Sequence, residues 1–173
     1  MLEIVQKGDP VLRQKATPVA ISEITSPRIQ QVLTDMKKAL ASQEDGVALA
    51  APQIGIPLRI FVVAGFALTA ELKKNENPPE DLVFINPVIS KLSKEKVELE
   101  EGCLSVRHVY GKTIRSTKVT VKAYNEKGES FQRGGGGLLA QIFQHETDHL
   151  DGILFIDHAT NMQEAGQNTR SES

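Results

Sequence analysis

The run Gln144 to Gly152, QHETDHLDG, sets His145 and His149 four residues apart with Glu146 beside the first. On a helix, residues four apart share a face, so both imidazoles reach one ion while the glutamate reaches its open side. That face extends backward at helical spacing through Ile142 and Leu138, and Leu139, Phe143 and Leu150 form a second apolar stripe beside it. Such a helix is expected to be buried, with its histidines in the core. Taken alone, the motif is equally consistent with two hydrogen-bonded core histidines.

A chain of 173 residues fits one domain and buries a sizeable core without covalent staples. We expect that domain over residues 1–160 and a polar, mobile tail over residues 161–173. A net charge of -2, with Lys and Arg scattered, offers no basic field for nucleic acid or an anionic membrane, so the expected partner is small and at most mildly charged. The single cysteine, Cys103, excludes an internal disulfide, and no apolar run approaches the roughly 18 residues of a membrane span. The N-terminus has neither a signal-peptide core nor transit character, and the cytoplasm is the simplest address.

Along the chain, two prolines and the Gly8-Asp9-Pro10 turn predict an extended N-terminal arm. Ser26 as N-cap and Pro27 at the first position open a helix in which Ile29, Val32, Leu33, Met36 and Leu40 recur at helical spacing until Asp45-Gly46. GVALAAPQIG, Gly46 to Gly55, is small and apolar, with Pro52 excluding a regular central strand, which predicts close approach of another group to its backbone. Strands are expected over Leu58–Val63, over Leu82–Ile85, and around Val97 and Leu99 running into EGCLS. Lys118–Tyr124 and a return strand around Phe131 form a hairpin. Gly134 to Gly137 loosens the chain before a helix from about Leu138, Gly152 ends that helix, and ILFI, residues 153–156, reads as a last strand. The class is α+β: antiparallel β-sheets wrapped around a central buried C-terminal helix carrying HExxH.

A catalytic zinc-type site has three protein ligands and an open position. Where the extended zinc-protease motif requires a third histidine, this chain has Phe155; His158 lies three residues too late, and Glu164 sits in the polar tail. Upstream, Cys103 in EGCLS offers a thiolate suited to zinc or ferrous iron, although a lone cysteine is more often a small buried hydrophobe. GVALAAPQ, EGCLS and QHETDHLDG, in that order, with GDPVLR near the N-terminus, resemble the signature motifs of peptide deformylase over roughly Gly8 to Asp157.

The resemblance implies ligands at Cys103, His145 and His149 for one divalent metal ion, natively Fe(II), with zinc or nickel able to take the site. It implies removal of the N-formyl group from the N-terminal methionine of newly synthesised polypeptides. The reaction needs an activated water, donors for a tetrahedral oxyanion and a proton for the departing amine. Glu146 is placed to move the proton, while Gln53 and the backbone N–H of Leu104 are implied as the oxyanion donors. An extended formyl-methionyl peptide would pair with the backbone of Gly46, Val47 and Ala48, and the family pattern sets Val47, Leu99, Leu138 and Ile142 around the methionine side chain. Glu101 is expected to pair with Arg115 in support of the site. The partners implied are formyl-methionyl nascent peptides and the ribosome surface, for a monomeric enzyme.

Two departures from the pattern concern backbone. The first motif of the family reads GxGLAAPQ or GxGLAATQ, and this chain has Ala48 at the second glycine. A requirement for positive φ there would cost on the order of 1 kcal/mol, and a requirement for smallness nothing. The four glycines before the helix weaken its start. Two rival readings remain: a metallopeptidase cleaving ordinary peptide bonds, and a non-enzymatic nascent-chain or ribosome-binding module.

Overall fold

A computed structural model describes residues 3–71, 77 and 79–165. Its elements are α1 (Pro27–Ala41), β1 (Ala48–Ala50), β2 (Ile60–Val63), β3 (Leu82–Leu92), β4 (Lys96–Cys103), β5 (Val106–Ser116), β6 (Lys118–Tyr124), β7 (Ser130–Gly136), α2 (Gly137–Leu150) and β8 (Thr160–Glu164), with short 3-10 turns between. A five-stranded antiparallel sheet has the order β1-β2-β3-β6-β7, and a three-stranded one the order β4-β5-β8. This is the expected α+β architecture.

The large sheet has a helix on each side. On β2, Phe61 and Val63 join Phe143, Ile142 and Leu139 of α2, while Ile60 and Val62 face Leu33 and Met36 of α1. A strand covered on both faces reads as a continuous apolar run, which is why IFVV does not alternate. Phe61 and Phe84 stack at 4.6 Å, and Phe143 meets Phe84 edge-on at 5.3 Å, so aromatic packing anchors α2 on the sheet. α1 begins as expected, with Ser26 Oγ accepting from Ile29 N–H and Pro27 in the first turn.

Several elements differ from the sequence expectation. The second half of β5 lacks an apolar inward face: it turns Thr113 and Arg115 inward and leaves Ile114 66% exposed. Gly134, Gly135 and Gly136 do not loosen the chain but complete β7, paired with Thr120, Val119 and Lys118. At Gly135 a Cβ would lie 2.6 Å from Leu139, and Gly137 has φ of +53°, so glycine permits the abrupt passage from strand to helix. ILFI forms no strand: Phe155–Asp157 is a 3-10 turn, and the last strand is β8. Residues 161–164, expected in the tail, therefore pair with β5, and residues 166–173 lie outside the described residues. Among the described residues no helix is long and apolar enough to cross a membrane.

Candidate active site

α2 packs against strands of both sheets, and its C-terminal half presents His145, Glu146 and His149 to the interior. Cys103 arrives from the opposite side at the end of β4, where the β4–β5 register shifts between Gly102 and Cys103. The shift turns the thiol toward the helix. Its Sγ lies 3.3 Å from His149 Nε2, which is 3.1 Å from His145 Nε2, and the three donor atoms fall within 4.8 Å of one another. A thiolate and two imidazoles suit zinc, ferrous iron or nickel. Glu146 Oε2 is buried without a hydrogen-bond partner, as expected of a carboxylate kept for something the protein itself does not supply. The donor set therefore fits a divalent cation.

Electrostatics support the same trio. Burial alone would raise the Cys103 pKa, but His149 and His145 outweigh it and bring the thiol well below its ordinary range, favouring thiolate. Burial would lower the His145 pKa, yet Cys103 and Glu101 raise it well above an ordinary imidazole, so metal uptake is coupled to proton release. Burial raises Glu146, and the two histidines oppose it only in part. A carboxylate raised in this way is a better proton acceptor than one in water.

A second layer orients these groups. Glu101 Oε2 accepts from His145 Nδ1 at 2.9 Å and from Arg115 Nη2 at 2.6 Å, while Arg115 Nη1 donates to Asp148 Oδ2 at 2.8 Å. The expected Glu101–Arg115 pair thus exists and extends to the histidine. Phe155, at the place where the protease motif would put a ligand, lies nearly parallel to the His145 ring at 6.3 Å. His158 instead approaches Asp148 at 3.8 Å.

Gln53 is 1% exposed in a 3-10 turn, Ala51–Ile54, immediately after β1. Its Oε1 accepts from Ala50 N–H at 2.9 Å, which leaves Nε2 directed at Ser105 Oγ, 3.1 Å, and toward Cys103 Sγ, 3.6 Å. A cavity of about 380 Å³ opens over these groups. Gly46, Val47, Ala48, Gln53, Glu101, Cys103, Leu104, Leu138, Ile142, His145 and Glu146 all line it; Leu99, half-buried, does not. Ala48 is extended and paired with Val63, and is not among the residues with positive φ, so its position demands smallness alone.

The polypeptide deformylase family model matches residues 1–165. The chain belongs to the peptide deformylase family. It is similar to peptide deformylase 2 of Clostridium acetobutylicum, 44% identical over 153 residues that cover 88% of this chain and 91% of that protein. The peptide deformylase of Carboxydothermus hydrogenoformans is 42% identical over 166 residues, 95% of this chain and 97% of that protein. Among solved structures, the Met-Ala-Ser-bound class I type b peptide deformylase from Acinetobacter baumannii superimposes with a TM-score of 0.78 at 35% identity, covering 91% of this chain and 97% of that one. A peptide deformylase from Synechococcus elongatus in complex with actinonin gives 0.77 at 36% identity, covering 92% and 79%. Deformylases are metalloenzymes, which agrees with the donor trio.

Sequence reasoning left several neighbours of the site unassigned. Ser105, fully buried, receives the Gln53 amide; Thr113 and Gln141 donate to Glu101; Asp148 steadies Arg115. Ser105 and Asp148 lie inside EGCLS and HETDH, so position within a motif was an available signal. Thr113 and Gln141 had none, because only folding brings them to Glu101.

Proposed function

We propose that this deformylase hydrolyses the formamide at the N-terminus of formyl-methionyl polypeptides, releasing formate, with Cys103, His145 and His149 holding the metal. The reading rests chiefly on the convergence of that sulfur and those two imidazoles beside a buried, unpartnered carboxylate. When bound, the cation supplies Lewis acidity toward the formyl oxygen and toward the water that attacks its carbon. Fe(II) is the proposed native ion, and the same donors accept zinc or nickel.

The chain's own residues supply the rest. Glu146 takes a proton from the attacking water and returns it to the leaving nitrogen. Gln53 Nε2 and the Leu104 N–H hydrogen-bond the oxygen that gains charge in the transition state, each donor being worth about 10²- to 10³-fold in rate. β1 is an edge strand of the large sheet. An extended peptide would pair along its outer side at Ala48 and along the adjoining Gly46 and Val47, a mode that reads backbone and tolerates any sequence. Val47, Leu138 and Ile142 form the apolar wall that receives the methionine side chain, and a flexible thioether suits so irregular a slot. On this reading the protein acts as a monomer in the cytoplasm, meeting substrates as they leave the ribosome.

Formate release from formyl-Met-Ala-Ser by the metal-loaded protein, measured together with metal content, tests the assignment. Internal cleavage of unformylated peptides would instead identify a metallopeptidase, and neither product would identify a binding module.

A further inference from the structure

The N-terminal arm does more than cover the domain. Val5 N–H donates to Gln53 O and Lys7 N–H to Ser105 O, both at 2.8 Å. Val5 and Lys7 are therefore tied to the two backbone segments that carry the proposed oxyanion donors. One of these segments follows β1 of the large sheet, and the other links β4 to β5 in the small sheet. Between the two ties, the Gln6 side chain reaches the second segment directly. Gln6 Nε2 donates to Leu104 O at 2.9 Å and to Ile4 O at 3.3 Å, and Gln6 Oε1 accepts from Arg107 N–H at 3.4 Å.

The Leu104 carbonyl and the Ser105 N–H are opposite ends of one planar trans peptide. The Ser105 N–H points at Cys103 Sγ, 3.4 Å away. Fixing the carbonyl on the outside therefore fixes the N–H against the sulfur on the inside. The same constraint limits rotation of the preceding peptide, which bears the Leu104 N–H.

We infer that Gln6 is a positioning residue: by holding the Leu104 carbonyl it keeps the Ser105 N–H on the Cys103 sulfur and the Leu104 N–H set for the substrate oxygen. This rests on Cys103 being a metal ligand and Leu104 an oxyanion donor. An N–H···S bond withdraws electron density from a thiolate, so loosening it makes the sulfur a stronger donor to any cation it holds. Gln6 is exposed and does not itself line the cavity or touch Cys103, His145 or His149, so its removal leaves the core and the three metal donors in place.

The test uses the full chain loaded with cobalt(II), whose thiolate charge-transfer band reports on the sulfur. Gln6→Glu keeps the length and the acceptor but has no donor for Leu104 O when ionised; Gln6→Met removes all three bonds and keeps the stem. Both variants are expected to move the band to lower energy and to lower kcat about three- to ten-fold, with KM for formyl-Met-Ala-Ser within twofold of the parent. An unmoved band and unchanged kcat, or a lower melting temperature with both unmoved, would overturn the inference by reducing Gln6 to a structural tie. Absence of a thiolate band from the parent protein would overturn the ligand reading itself, and the inference with it.

Discussion

Replacing Glu101 by glutamine tests how far the ligand geometry depends on residues that never touch a metal. The Glu101 carboxylate receives five hydrogen bonds: from Arg115 Nε and Nη2, Thr113 Oγ1, Gln141 Nε2 and His145 Nδ1. Glutamine matches its shape but has one acceptor oxygen and one NH2 group. Turned either way, the NH2 meets donors, on one side Arg115 Nη2 and His145, on the other Arg115 Nε, Thr113 and Gln141. Removing one partner of a buried ion pair costs about 3–5 kcal/mol. Because Arg115 keeps the partly exposed Asp148 at 2.8 Å, the loss should fall near the lower end of that range, roughly 3 kcal/mol. Loss of the carboxylate behind His145 should also weaken metal binding by about 10- to 100-fold.

The pH dependence follows from the direction of the Glu101 shift. Burial would raise its pKa, but the bonds from His145 and Arg115 hold it well below the usual carboxylate range. A depressed carboxylate contributes stability that is fully present above its unfolded pKa, about 4.3, and that is lost as the pH falls through the folded value. The carboxylate's own share of the difference between parent and Glu101→Gln should therefore be complete at neutrality and shrink only in acid, while the share it lends to protonated His145, whose pKa it raises, is lost as the pH rises through that histidine's folded value. Urea unfolding at several pH values and chelator competition measure both quantities. A stability loss under about 1 kcal/mol at pH 7, with superimposable chelator curves, would refute the reasoning.

Glu146→Gln should retain metal by elemental analysis and lose at least about 10²-fold in kcat, and equal turnover would remove the proposed base. Formyl-Ala peptides should react about 10- to 200-fold more slowly than formyl-Met peptides in kcat/KM; indifference between them would remove the pocket formed by Val47, Leu138 and Ile142. Gly152→Ala should lower thermal stability by about 1–3 kcal/mol, since φ there is +76° and a Cβ would stand 2.6 Å from Arg13 O; an unchanged melting curve would show that the α2 terminus yields easily.

The two helices and the three donors that the fold brings together are legible in the sequence. α1 announces itself through Ser26-Pro27 and an apolar 3-4 repeat, and the 3.6-residue period alone puts His145 and His149 on one face. Cys103 stands out only through the motif EGCLS. Alternation found β6 because Val119, Val121 and Ala123 turn to the core while Lys118 and Lys122 do not.

Where the inward side of an element is polar, that code is silent. β5 buries Thr113 and Arg115 because both donate to the Glu101 carboxylate of the neighbouring β4, and it exposes Ile114, so its sequence alternates in the wrong sense for a strand on an apolar core. Gly134 to Gly136 read as slack yet form a strand, since the close approach of Leu139 leaves no room for a Cβ at Gly135.

The sequence by itself determined the chemistry available, because ligand type and helical period are local properties. Only the tertiary structure decided how those groups are held: the register shift that turns Cys103 inward, the carboxylate of Glu101 behind His145, and the arm that ties Gln53 to Leu104. Each depends on contacts between residues tens of positions apart, and no local period encodes such distances.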